Sequence, residues 1–197
     1  KPTIVSGRHL LGGGFGAHGR ANALDVLLKA AKIVQDQGYE DIRFVLVGAG
    51  PEKPKLIELA EKMQLKDVEF REPVEKTEVP RVLQESDALI FNLEQVAVFK
   101  YGISSNKLFD YMASGRPVLF SVSSGNNPVD EAQCGLTVPP RDPKALAEAV
   151  NKLYRMPLEE REEMGRRGRE YVEKHHSIPV LADKLEAILQ EVLCSEQ

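Results

Sequence analysis

The constraint that narrows the fold most is an alternation of two hydrophobic periods. Short apolar runs rich in β-branched residues, such as Ile42-Arg43-Phe44-Val45-Leu46-Val47, alternate with stretches whose apolar positions recur at helical spacing. Runs of the first kind suit strands buried on both faces, and those of the second suit helices with one inward stripe. Further strand-type runs lie at 68–70, 87–92, 117–120 and 136–138. Helical stripes cover 23–37 (Leu24, Leu27, Leu28, Ala31, Val34, stopped by Gly38), the stretch up to Met63 (Leu56, Leu59, Ala60) and 77–85 (Val79, Val82, Leu83). They continue at 106–114, closed by Gly115, and in a short turn at 129–132. Helices then dominate, over 143–154, 157–175 and 179–193. The pattern predicts an α/β fold: a Rossmann-like parallel sheet with helices on both faces, right-handed crossovers and a helical C-terminal tail.

The start of the chain does not share this regularity. Pro2-Thr3-Ile4-Val5 has the composition of a short strand, but Gly12-Gly13-Gly14 and Gly16 follow. Residues 1–15 therefore read as an irregular segment, a flexible loop or an appended remnant. Residues 16–178 read as one domain and 179–197 as a separate last helix. With 197 residues, 42% apolar and 28% charged, the composition is that of a globular protein. A formal charge of -4 argues against a general nucleic-acid binder. Cys134 and Cys194 belong to no pairing or metal motif, which points to a reducing compartment. No apolar run reaches membrane-spanning length, so the expectation is a cytoplasmic protein whose membrane contact, if any, is peripheral. No Walker loop, zinc-ligand pattern or nucleophile elbow occurs, and no metal or cofactor is expected.

Ligands of open parallel sheets bind beyond the carboxyl ends of the strands. That makes the loops at 16–22, 48–51, 71–74, 92–107 and 121–127 the candidate site. Within Tyr101-Gly-Ile-Ser-Ser-Asn-Lys-Leu-Phe-Asp, Ser104 and Ser105 stand where a helix N-cap is expected. First-turn amides point outward there, and the helix dipole favours an anion in front of them. Lys107 opposes that dipole, so a bound anion explains it better than helix stability does; a solvated surface lysine is the alternative. Asp110, one turn later, can accept two hydrogen bonds from a ribose diol. It can equally pair with Lys107, a contact worth only about 0.2–0.5 kcal/mol. His18 lies between Gly16-Ala17 and Gly19. Its backbone amide can reach a ligand and its ring a phosphate or sugar hydroxyl, unless it is simply an exposed loop histidine. The charged run at 159–167 reads as a solvated helix face.

Taken in order, Phe44-Val-Leu-Val-Gly-Ala-Gly-Pro, Val68-Glu-Phe, Ser86-Asp-Ala-Leu-Ile-Phe, Asn106-Lys-Leu-Phe-Asp-Tyr-Met-Ala-Ser-Gly-Arg-Pro-Val and Gly135-Leu-Thr-Val-Pro-Pro-Arg-Asp-Pro resemble the C-terminal domain of group 1 glycosyltransferases. These are retaining enzymes of the GT-B fold, in which two Rossmann-like domains bind a nucleotide-sugar donor in their cleft. Gly16-Ala-His-Gly-Arg-Ala-Asn-Ala-Leu-Asp looks most like members that build bacterial surface polysaccharides. The resemblance implies that Asp110 holds the ribose hydroxyls and that Ser105, Asn106, Lys107 and Leu108 meet the pyrophosphate. Glu72, Pro73 and Val74 would flank the base, and Gly16, His18, Gly19 and Arg20 would form the glycine loop after the first strand. It also implies a uridine donor, a lipid-linked or glycan acceptor at the inner face of the plasma membrane, and an acceptor-binding N-terminal domain absent from this chain, toward which the C-terminal helix of 179–197 would cross. The fragment alone is then expected to be inactive.

The chain departs from the family pattern at three places. The family's first motif glutamate falls on Gly102, and its arginine and lysine after the first strand fall on Ala17 and Asn22. Neutralising a leaving diphosphate would then rest on Lys107, helix amides, and Arg20 or His18. Two other functions fit the same architecture. One is a nucleotide-sugar epimerase, and the other a non-catalytic flavodoxin-like binding module.

Overall fold

In the computed structural model, residues 9–195 are described. Six parallel strands form one sheet: β1 (His9–Ala17), β2 (Ile42–Ala49), β3 (Val68–Arg71), β4 (Ala88–Asn92), β5 (Val118–Ser121) and β6 (Gly135–Thr137). Their spatial order is β3-β2-β1-β4-β5-β6. Chain order reverses between β1 and β4, which is the switch point of a Rossmann-type sheet. The predicted Rossmann-like α/β architecture is therefore the observed one.

The helices divide cleanly between the faces because strand side chains alternate. Phe44 and Leu46 of β2, with Ala88 and Ile90 of β4, face a layer of α1 (Leu24–Asp36), α2 (Lys53–Lys62) and α6 (Pro143–Arg155). Val45 and Val47, with Leu89 and Phe91, face α3 (Val79–Gln84), α4 (Asn106–Ala113) and α5 (Pro128–Glu131). Caps set several of these starts. The Asp142 carboxylate accepts from the amides of Lys144 (3.0 Å) and Ala145 (2.9 Å), with Pro143 opening α6. Asn127 does the same for α5, accepting from Val129 and Asp130 at 3.1 Å each.

The first strand corrects the sequence expectation. Residues 9–15, assigned to an irregular segment, lie in β1, which runs through the triple glycine and pairs on both sides. Glycine disfavours a strand locally, but two neighbouring ladders satisfy this backbone, and tertiary pairing overrides propensity. The glycines still leave a mark: the β1–β2 register shifts between Gly13 and Gly16, as at a bulge. The strand expected at Pro2–Val5 lies outside the described residues.

α7 (Leu158–His175) carries the predicted surface ion pairs, among them Arg167–Glu163 (3.4 Å) and Arg169–Glu173 (3.3 Å). So charged a helix reaches the domain through glycine. A Cβ on Gly165 would stand 1.8 Å from the Gly115 carbonyl oxygen, so only glycine lets α7 come this close. At its end, the His176 ring stacks on Phe109 of α4 with centroids 3.9 Å apart. α8 (Ile178–Ser195) follows, and every side chain from 181 to 193 is exposed. Its apolar positions include Leu185 (58% exposed) and Ile188 (57%). Among the described residues no helix is long and apolar enough to cross a membrane. The Cys134 thiol is buried in the second core layer, and burial pushes its pKa up to about 12.

Candidate functional site at the switch point

The loops that leave β1 and β4 meet above the switch point. After β1 the chain makes one 3-10 turn (Arg20–Asn22), and Ala23 takes a left-handed conformation (φ 44°) before α1 begins. Asn92, the last residue of β4, is 3% exposed and directs its side-chain amide at this turn. Its Nδ2 donates to the backbone carbonyls of Asn22 (2.8 Å) and Ala23 (2.9 Å). These bonds supply a donor to the Asn22 carbonyl and a second one to the Ala23 carbonyl, which also accepts from the Val26 amide (3.0 Å). Asn22 Nδ2 in turn donates to the Ala17 carbonyl at 2.6 Å, closing the turn onto the end of β1.

Lys107 enters from the other side of the switch point. Its ammonium donates to Asn22 Oδ1 at 2.6 Å and lies 5.2 Å from the centre of the Phe91 ring. Burial alone pushes its pKa down to about 8. A lysine held so far below its ordinary value is a charge kept out of water at a cost, partly offset by the aromatic face. Half-buried and hydrogen-bonded to Asn22, Lys107 is not a freely solvated surface residue. Among the described residues no ion pair joins it to Asp110. Asp110 is exposed, and partial burial raises its carboxyl above the ordinary value.

The other expected residues sort differently. Ser105 has the extended backbone of an N-cap (φ −125°, ψ 118°), but its hydroxyl makes no capping bond. Ser104 and Asn106 are exposed beside it. Leu108 corrects the expectation of a pyrophosphate contact. Its side chain is fully buried in the core, and its amide donates to the Ser105 carbonyl at 3.0 Å. His18 is corrected too. It is fully buried, so its ring is neither an exposed loop histidine nor open to a ligand. Its backbone instead ties β1 to the turn after β2: the amide donates to the Ala49 carbonyl (2.8 Å), and its carbonyl accepts from Glu52 (3.0 Å).

The glycines at 48 and 50 serve this same junction. A Cβ at Gly48 would fall 1.9 Å from the Gly16 carbonyl oxygen, and one at Gly50 would fall 2.5 Å from that of His18. Gly16, Pro73 and Val74 do come together, with Phe15, Val47 and Val79, around a cavity of about 260 Å³ beyond β1–β3. Glu72 stays outside it, mostly exposed and paired with Lys53 at 2.8 Å. Gly19 and Arg20 line a second cavity of about 350 Å³ with Asp25, Glu52, Glu94 and Arg141. Arg20 is almost fully exposed, with its nearest carboxylate, Glu52, at 3.8 Å.

Three features of the site escape the sequence reading. Arg141 bridges Glu94 (2.8 Å) and Asp25 (3.1 Å), pinning the loop after β4 to the start of α1. Burial works to raise the Asp25 carboxyl, but Lys29 and Arg141 together hold it below its ordinary value. Asn126 clamps the loop before α4, accepting from the Ile103 amide (2.7 Å) and donating to its carbonyl (3.0 Å). It fills the space beside Gly102 (φ 113°), where an added Cβ would lie 3.2 Å from the Asn126 amide oxygen. Asn92 alone had a legible signal: a polar residue closing an otherwise apolar central strand. Among the described residues no three His, Cys, Asp or Glu side chains are grouped to hold a metal ion.

Comparison with known proteins identifies the family and the fold. A family model described as "Glycosyl transferases group 1" matches residues 11–156. The chain is 33% identical over 130 residues to the D-rhamnosyltransferase WbpZ of Pseudomonas aeruginosa, covering 64% of this chain and 32% of that protein. It is 28% identical over 177 residues to the putative colanic acid biosynthesis glycosyltransferase WcaL of Escherichia coli, covering 85% and 41%. It thus spans well under half the length of these relatives. Among solved structures, the C-terminal domain of a group 1 glycosyl transferase, LpcC from Francisella tularensis, superposes with a TM-score of 0.71 at 18% identity, over 87% of this chain and 88% of that one. Anabaena HepE, in complex with UDP and glucose, superposes with a TM-score of 0.75 at 14% identity, over 93% and 48%. The chain belongs to the group 1 glycosyl transferases and has the Rossmann-like fold of their C-terminal, GT-B domain.

Proposed function

We propose that this chain binds a nucleoside-diphosphate sugar, with UDP as the preferred nucleotide, and is the donor-binding half of a retaining glycosyltransferase of surface-polysaccharide assembly. The observation that carries this reading is the buried Lys107 ammonium at the switch point, beside the amino end of α4. A cation desolvated there is stabilised by an arriving diphosphate, and the first α4 amides add donors to the same anion. The apolar cavity at Phe15, Pro73, Val74 and Val79 has the character of a site for a flat base. Asp110, exposed two residues past the buried Leu108, is the group to accept from the ribose hydroxyls.

In transfer, charge develops on the departing diphosphate, and fixed positive groups aimed at it lower the barrier. Lys107 and the α4 amides take that role in our reading, without an obligatory metal. The acceptor, a glycan or a lipid-linked sugar at the cytoplasmic face of the membrane, and the domain that binds it lie in the remainder of the enzyme. Hence this chain alone should bind the nucleotide weakly and show no turnover. HepE, with its bound UDP and glucose, supports the choice of ligand. Calorimetry with UDP, GDP and ADP, with and without magnesium, tests the reading. UDP should bind more tightly than the other two and independently of the metal. Binding of none of the three would sink it.

A further inference from the structure

Among the described residues Asn22 is the side chain hydrogen-bonded to the half-buried Lys107 ammonium, which also lies over the Phe91 ring, and the orientation of the Asn22 carboxamide is fixed. Its Nδ2 donates to the Ala17 carbonyl and its Oδ1 accepts from Lys107, both at 2.6 Å. Turning the amide over would set an NH2 against the ammonium and an oxygen against the carbonyl, losing both bonds. The Asn22 backbone carbonyl is itself held by Asn92 at 2.8 Å. The end of β1, the end of β4 and α4 are thus each tied to Asn22, through the Ala17 carbonyl, the Asn92 side chain and the Lys107 ammonium.

We propose that Asn22 is a positioning residue for the donor diphosphate: its neutral carboxamide holds the Lys107 ammonium at the switch point while leaving its charge uncancelled for the anion. The inference rests on the donor-site reading above and deepens it. A carboxylate at this position would pair with the ammonium but neutralise it and repel a phosphate, and it would also lose the donor to the Ala17 carbonyl. A residue without an acceptor would leave the half-buried ammonium without its side-chain partner. The acidic groups of the surrounding elements are otherwise placed. Asp25 and Glu94 are bridged by Arg141, and Asp110 forms no ion pair with Lys107. Burial is accordingly the cause of the lowered Lys107 pKa, near 8. Binding of a diphosphate should draw a proton onto Lys107 whenever the solution is above that value.

The test has a ligand-free and a ligand-bound arm. In the free protein, the Cε resonance of Lys107, assigned by its loss in Lys107→Met, should titrate near pH 8. Asn22→Asp should raise that midpoint by more than one unit, and Asn22→Ala should lower it. In calorimetry, UDP affinity of the unaltered chain should fall about ten-fold between pH 7 and pH 9, following loss of the ammonium. Asn22→Asp should bind several-fold more weakly at pH 7 and show a flat profile across that range. An unchanged midpoint and an unchanged pH profile in folded Asn22→Asp would overturn the proposal. Should UDP, GDP and ADP all fail to bind the unaltered chain, the donor-site reading falls. The ligand-free titration would still decide whether Asn22 holds Lys107.

Discussion

Replacing Asn92 with alanine removes the donor that stitches β4 to the loop after β1. The side chain is 3% exposed, and its Nδ2 gives two bonds, at 2.8 and 2.9 Å, to the carbonyls of Asn22 and Ala23. A neutral hydrogen bond contributes about 0.5–1.5 kcal/mol net, and stranding the half-buried Asn22 carbonyl costs about 1–3 kcal/mol, while the Ala23 carbonyl keeps the Val26 amide (3.0 Å). Water can re-solvate part of the loop, so the expected loss is about 2–3 kcal/mol. For a domain of this size, 1 kcal/mol shifts Tm by roughly 2–4 °C, which predicts a fall of about 4–12 °C. Asn92→Asp should be worse, because it keeps the shape but sets a carboxylate against two carbonyls. Thermal unfolding followed by circular dichroism measures both, and UDP affinity should drop alongside, since the Asn22 turn loses its anchor. A Tm within 1 °C of the parent for Asn92→Ala would mean that these bonds do not hold the turn, and the account of the site would fail with it.

Gly48→Ala should cost more than about 3 kcal/mol or prevent folding, because its Cβ would sit 1.9 Å from a backbone oxygen of β1 that cannot step aside; soluble yield and urea midpoint report this. Asp110→Ala, at an exposed position, should leave Tm unchanged while weakening UDP about ten-fold through loss of the ribose contact; equal affinity for UDP and its 2′,3′-dideoxy analogue in the parent protein would refute that role. Lys107→Met should raise Tm at pH 7 while abolishing the lysine-dependent part of nucleotide binding. The sign follows from linkage: with the folded pKa near 8 and the unfolded value near 10.5, Lys107 lowers stability at neutral pH, and that penalty fades as pH rises between those two values. Leu185→Glu with Ile188→Glu should leave Tm within about 1 °C in thermal unfolding, since both side chains are more than half exposed.

The sequence by itself determined the elements from β2 onward, because each carries its own periodicity. The Ile42–Ala49 run and the 143–155 stripe read the same in isolation as in the fold. Lys107 was also legible, being a cation set against the dipole of a helix start. Tertiary structure alone decided β1, where three glycines become strand because two neighbours supply ladders. It alone assigned the glycines at 48 and 50 to chain-on-chain approach, and it buried His18 and Leu108, which sequence had offered to a ligand. The contact of Lys107 with Asn22 joins residues 85 positions apart. Local propensity records what a residue prefers along its own helix or strand; which two ends meet above a sheet depends on strand order, and that emerges only when the whole sheet has closed around its switch point.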